Sequence, residues 1–351
     1  MKEIFVNTSN EYSVLIGNDL LSQAAAQILR ISKPCKVAII SDTNVWPLYG
    51  KVLQEGLNAA NFETIHYCFQ AGEASKNTQT YIDIVNFLAQ NEITRTDLLI
   101  ALGGGVVGDI CGFAAATFLR GISYVQIPTS LLAMVDSSIG GKTAIDLPAG
   151  KNLLGAFYQP RLVLCDTNLL STLPEHVFID GCAEIIKYGI LYDAQLFAHL
   201  LENGLKFDRE YVISTCVKHK KDVVTQDEFD RGERQKLNLG HTIGHAIERL
   251  SDYTISHGNA VAIGTVIVTK AACSMKLCDG AVLQQIKTIM KAFHLSVKAQ
   301  YSAEALTASA LSDKKRTSNT INLIVPERIG SCKILTASID QLQSIIEAGL
   351  S

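Results

Sequence analysis

The chain has 351 residues, 48% hydrophobic and 19% charged, which suits about two packed domains of roughly 100–200 residues and excludes a disordered chain. Its 31 Lys and Arg nearly balance 34 Asp and Glu, for a net charge of −3; this argues against a polyanion binder, so no nucleic-acid partner is expected, and a basic pocket must be local. No apolar run reaches the roughly 18 residues of a membrane span, and nine scattered cysteines, odd in number and without a CxxC pair, fit a reduced, cytoplasmic protein.

Met1–Val6 reads as a strand start. Further strands are expected at Cys35–Ser41, Glu63–Phe69, Asp97–Gly103, Tyr124–Pro128 and Leu162–Asp166. Between them, Val45–Ala60, Thr78–Asn91 and Val107–Leu119 have helical length and apolar spacing. This alternation predicts an α/β domain with a parallel-type sheet over residues 1–170. Residues 171–351 read as mainly α-helical: Ile179–Tyr188, Ala194–Asn203, Tyr211–Glu228, His241–Leu250, Asn259–Lys276 and Leu283–Phe293. A hairpin, Ile321–Pro326 with Lys333–Leu335, and a last helix, Ile339–Ala348, complete the expectation.

The strand Leu98–Leu102 runs into Gly103-Gly104-Gly105-Val106-Val107-Gly108-Asp109, in which glycines 103, 105 and 108 satisfy GxGxxG. Bare backbone at a helix N-terminus suits a pyrophosphate, but a closely packed strand–helix turn has the same pattern. Ser137–Thr143 is not a P-loop, because Asp136 stands where that motif needs its first Gly. Lys142 and the Gly150-Lys151-Asn152 cluster still place two lysines among glycines, a setting for phosphate. In Gly240-His241-Thr242-Ile243-Gly244-His245 two imidazoles share one helical face, with His257 at a later turn and Glu184 flanked by apolar residues. Two histidines and a carboxylate make a metal site; the same spacing also arises among core histidines. Lys218, Lys220 and Lys221, then Arg234 and Asn238, read either as a solvated face or as a pocket for a carboxylate and phosphate.

Taken together, Gly103–Asp109, Arg120–Gly121, Pro128–Thr143, Gly150–Pro160, Asp180–Gly189, Asn238–Glu248 and His257-Gly258 resemble the 3-dehydroquinate synthase family, over nearly the whole chain. The resemblance implies an N-terminal NAD-binding α/β domain, a C-terminal helical metal-binding domain, Zn²⁺ or Co²⁺, and a homodimer. It makes Glu184, His241 and His257 the metal ligands, and His245 a proton-transfer residue. Asp42, Asn44, Glu73, Lys76, Gly104, Gly105, Val106, Asp109, Thr129, Ser130, Lys151 and Thr172 become NAD contacts. Asp136, Lys142, Asn152, Lys187, Lys220, Arg234 and Asn238 become substrate contacts, with Lys314 and Arg120 reaching phosphate, Arg120 in the partner subunit's pocket. A second proton acceptor, commonly Glu in the family, is Asp230 here, one methylene shorter.

The implied reaction converts 3-deoxy-D-arabino-heptulosonate 7-phosphate to 3-dehydroquinate and phosphate, with NAD reduced and reoxidised within each cycle. Lys142 then serves catalysis as well as binding. A sister sugar-phosphate cyclase and an NAD- and metal-dependent polyol dehydrogenase share the architecture; the Lys142, Asn152, Lys220 and Arg234 array argues against the dehydrogenase.

Overall fold

The computed structural model describes residues 1–312 and 319–351; Lys314 lies outside the described residues. Leu98–Gly103 is buried at all six positions, as befits a parallel strand covered on both faces. Around it the chain forms β1 (Lys2–Val6), β2 (Tyr12–Gly17), α1 (Ala24–Ile28), β3 (Lys36–Asp42), α2 (Lys51–Ala59), β4 (Glu63–Phe69) and α3 (Thr78–Gln90). Then follow β5 (Leu98–Gly103), α4 (Gly105–Thr117), β6 (Ser123–Pro128), β7 (Lys142–Leu147), β8 (Gly150–Phe157) and β9 (Leu162–Asp166).

Seven of these strands form one sheet in the order β1-β2-β9-β6-β5-β3-β4. All pairings are parallel except β1 with β2, so the sheet carries one antiparallel edge. From β3 the chain goes outward to β4, then crosses back to β5 on the other side of β3. That reversal creates a crevice at the carboxyl ends of β3 and β5, where open α/β sheets bind ligands. β7 and β8 form a separate antiparallel hairpin where the sequence pattern predicts no strand. None of the eight β8 positions is buried, so no apolar alternation marks the strand.

The chain next forms α5 (Glu175–Leu191) and α6 (Ala194–Asn203), then α7 (Arg209–Gln226). It ends with α8 (His241–Leu250), α9 (His257–Ser274), α10 (Gly280–Ala292), α11 (Ala303–Ser312), the hairpin β10 (Thr320–Arg328) and β11 (Ser331–Ser338), and α12 (Ile339–Leu350). Two compact units result: residues 1–174 with 209–229, and residues 175–208 with 230–351. This differs from the expected 1–170 and 171–351 division, because α7 packs with the first unit. Its apolar face (Val212, Ile213, Cys216, Val217, Val224) is buried, Lys2 Nζ donates to Ser214 Oγ at 3.0 Å, and Lys220 pairs with Asp136 at 2.5 Å. An amphipathic helix reports that it is buried on one side, not against which neighbour.

In the second unit α9 is the central element, buried around most of its circumference and touching α5, α8, α10 and α12. Side chains close several helix ends: Asn77 accepts from Thr80 N–H, Asp279 accepts from Ala281 N–H, and Ser338 with Gln341 forms a capping box. Among the described residues no helix is long and apolar enough to cross a membrane.

Candidate functional site

In the first unit, Asp42, Gly103–Gly105 and Thr129 stand at the carboxyl ends of the neighbouring strands β3, β5 and β6. Gly104 occupies the N-cap of α4 with no side-chain cap, so the helix presents backbone N–H groups to an anion. The glycines divide their work. A Cβ at Gly108 would lie 2.7 Å from Gln126 Oε1, so that glycine lets α4 sit close on β6; at Gly104 the nearest atom is Ser130 Oγ at 3.5 Å. The turn therefore combines close packing at Gly108, a glycine of the GxGxxG pattern, with a bare approach at Gly104, which stands between two of them.

Lys76, 4% exposed, joins this region to the β7–β8 hairpin. Its ammonium lies 2.6 Å from Asp109 Oδ2 and 2.5 Å from Asn152 Oδ1. Burial opposes the lysine charge, but Asp109 and Glu73 outweigh it and raise the pKa. Burial also pushes the Asp109 carboxyl up while Lys76 pulls it back; the 2.6 Å contact is that of a charged pair. Asp146, which sequence reasoning passed over, accepts the Asn152 N–H at 2.7 Å and holds that residue at φ +55°. Lys151 pairs with Glu73 at 3.4 Å, Asp42 Oδ1 accepts from Asn44 and Val45 N–H, and Thr172 shares a hydrogen bond with Tyr49. Arg120 stands before β6 and Thr129 after it, so the strand holds them roughly 20 Å apart within one chain.

In the second unit, close helix approach builds the site. Gly240 has φ +77°, and a Cβ there would fall 2.3 Å from Thr265 Oγ1. A Cβ at Gly264 would fall 2.2 Å from Gly240 O. α8 and α9 thus meet backbone to backbone, and His241 and His257 begin these two helices. Asp180 on α5 accepts from the N–H groups of Gly258 (2.8 Å) and Asn259 (3.3 Å), closing the N-terminus of α9. Glu184 is one helical turn beyond Asp180 on α5. Three helices therefore deliver three donors.

The donors meet at the Glu184 carboxylate, 1% exposed: His241 Nε2 and His257 Nε2 are each 3.6 Å from its Oε1. One ligand atom from each of the three lies within 4.8 Å of the others. His241 Nδ1 faces Leu239 O at 3.0 Å, which accepts its proton and leaves Nε2 as a lone-pair donor. Burial, then the nearby Lys187, hold His241 down at about 3, so this imidazole is neutral and ready to ligate. Burial would also lower His257, but hydrogen bonds and charge from Glu184 and Glu248 push it up to about 10. Lys187 pairs with Glu184, so both positive groups gather where a cation would sit. Two imidazoles with Nε2 aimed at one carboxylate make a His₂–carboxylate set that could hold a divalent metal.

Of the expected unit-two residues, the structure brings together Glu184, Lys187, His241, His245 and His257. His245 and His257 rings are 6.0 Å apart, and the His245 side chain is 45% exposed. Arg234 is buried and Asn238 exposed on the segment leading into α8. Asp230 stands at φ +57° before them. Sequence reasoning missed Asp180 and Glu248 as individuals. Each carried a legible signal: Asp180 lies four residues before Glu184, and Glu248 lies seven after His241 and three after His245, on the same helix face.

An α/β unit with an anion-ready glycine turn at its strand reversal, and a helical unit with a His₂–carboxylate donor set, define a class of two-domain, metal-site-bearing proteins. The chain belongs to the 3-dehydroquinate synthase family: the family's N-terminal model matches residues 66–180 and its C-terminal model 181–316. The 3-dehydroquinate synthase of Clostridium acetobutylicum is 44% identical over 331 residues, covering 93% of both chains. That of Enterococcus faecalis is 41% identical over 352 residues, covering 99% of this chain and 98% of its own. Among solved structures, 2-epi-5-epi-valiolone synthase from Streptomyces hygroscopicus, with NAD⁺ and Zn²⁺ bound, superposes with TM-score 0.90 at 26% identity, covering 99% of this chain and 98% of its own.

Proposed function

We propose that this chain is a 3-dehydroquinate synthase, converting 3-deoxy-D-arabino-heptulosonate 7-phosphate to 3-dehydroquinate and phosphate. One observation carries the reading: the Glu184, His241 and His257 donors converge in a chain that matches both domains of this family. The sister cyclase shares the fold at 26% identity, whereas the dehydroquinate synthases reach 41–44%.

Glu184, His241 and His257 would hold a divalent metal, Zn²⁺ or Co²⁺, which would supply Lewis acidity. Asp42, Asn44, Glu73, Lys76, Gly104, Gly105, Val106, Asp109, Thr129, Ser130, Lys151 and Thr172 would hold NAD, which would supply a hydride acceptor. The chain's own residues do the rest. Lys142 and Asn152 orient the phosphate, which leaves only when its developing charge is matched by a cation. Lys220 and Arg234 hold the carboxylate, with Asp136, Lys187 and Asn238 fixing hydroxyls. His245, more exposed than the two ligating histidines, passes a proton at its imidazole, and Asp230 accepts a second. By likeness to the family, Arg120 completes the partner subunit's phosphate pocket in a homodimer. The protein works in the cytoplasm.

The test is turnover of purified, metal-loaded protein with this substrate and substoichiometric NAD⁺. Many phosphates per NAD⁺, no lasting NADH and loss on chelation are expected. No phosphate release refutes the reading, and NADH accumulating with a simple polyol assigns a dehydrogenase instead.

A further inference from the structure

Glu248 is a charged side chain with 4% exposure, placed on α8 behind the metal donors. A carboxylate so buried is stable only with partners. Its Oε2 lies 3.3 Å from His257 Nδ1 and 4.0 Å from His245 Nε2. His257 is thus bracketed: Nε2 faces Glu184 and Nδ1 faces Glu248. His241 has the same arrangement with a different acceptor, the neutral carbonyl of Leu239.

We propose that Glu248 is the positioning residue of the metal centre: it accepts the Nδ1–H of His257, which fixes that ring's tautomer and rotation so that Nε2 ligates. This rests on the metal reading given above and adds a fourth side chain to it. The two histidines are then unequal ligands. His241 is supported by a dipole and His257 by a full charge, which raises the basicity of its Nε2. The same carboxylate reaches towards His245, so one side chain spaces the proton-transfer imidazole from the ligating one. A rival geometry exists, since His245, Glu248 and His257 also have atoms within 4.8 Å of one another. It would make Glu248 itself a ligand and would use His257 Nδ1.

The experiment is metal affinity of the full chain by chelator competition with Zn²⁺, together with the visible spectrum of the Co²⁺ form. Glu248→Gln keeps the shape and an acceptor oxygen but loses the charge, and is expected to weaken binding by about 10–100-fold and to shift the Co²⁺ bands. Glu248→Ala is expected to weaken it further. In a His257→Ala background Glu248→Gln should add nothing, because it acts through that ring. An unchanged affinity in Glu248→Gln, or an equal further loss in the His257→Ala background, overturns the proposal. Loss of metal in His245→Ala with retention in Glu184→Gln also overturns it, in favour of direct ligation. If the unaltered chain binds no Zn²⁺, the metal reading of the previous subsection fails instead, a result separable from all of these.

Discussion

Replacing Gly264 with Ala should loosen the metal centre without unfolding the protein. The new Cβ would lie 2.2 Å from Gly240 O, 2.9 Å from Gly244 N and 3.1 Å from Gly240 C, all backbone atoms that no rotamer change can move. Restoring ordinary contact needs α8 and α9 to separate by roughly 1 Å. His241 follows Gly240 directly, so it travels with α8, while His257 stays on α9. Metal–ligand distances tolerate only about 0.2 Å, so the displacement should weaken metal binding at least about tenfold. Overpacking costs about 1–3 kcal/mol, and Ala in a helix returns about 1 kcal/mol over Gly, for a net loss of about 0–2 kcal/mol. Chelator competition with Zn²⁺ and urea unfolding of the metal-free protein measure the two quantities side by side. Gly280→Ala is the control, because nothing lies within 4 Å of a Cβ there. An unchanged metal affinity in Gly264→Ala, or an equal loss in Gly280→Ala, refutes the close-crossing argument.

Lys76→Met should destabilise the chain by about 3 kcal/mol, since Asp109 loses its buried partner. Adding Asp109→Asn should recover about 1–3 kcal/mol of that, read by urea unfolding as a double-mutant cycle; simple additivity would count against the ion pair. His257 is raised to about 10 in the metal-free fold, so its contribution to stability is present below about pH 6.5 and fades as pH rises through 10. A metal competes with that proton: calorimetry at pH 7.5 in buffers of different ionisation heat should show release of about one proton per Zn²⁺, and none would contradict the raised value. His245→Ala should lower turnover by about 100–10,000-fold while Zn²⁺ affinity stays unchanged, and lost metal would make His245 a ligand.

Much of this was legible in the residues. Glu63–Phe69 and Leu162–Asp166 are strands to the residue, and His241–Leu250 a helix, because period and punctuation are local properties. The β7–β8 hairpin was not, since β8 has no buried face to impose an alternation. Glu184, His241 and His257 stood out by residue type, whereas Asp180 and Glu248 read as ordinary helical acids until their partners came into view.

The order of residues alone determined the elements, the mostly parallel sheet and the chemical inventory, because propensity, turn chemistry and donor type belong to single residues and their near neighbours. Tertiary structure decided the rest. It assigned α7 to the first unit, tied Lys76 to Asn152 across 76 positions, and drew two imidazoles from two helices onto the carboxylate of a third. The physical reason is that backbone contact at Gly240, Gly258 and Gly264 depends on what faces each glycine, and no local pattern encodes the facing partner.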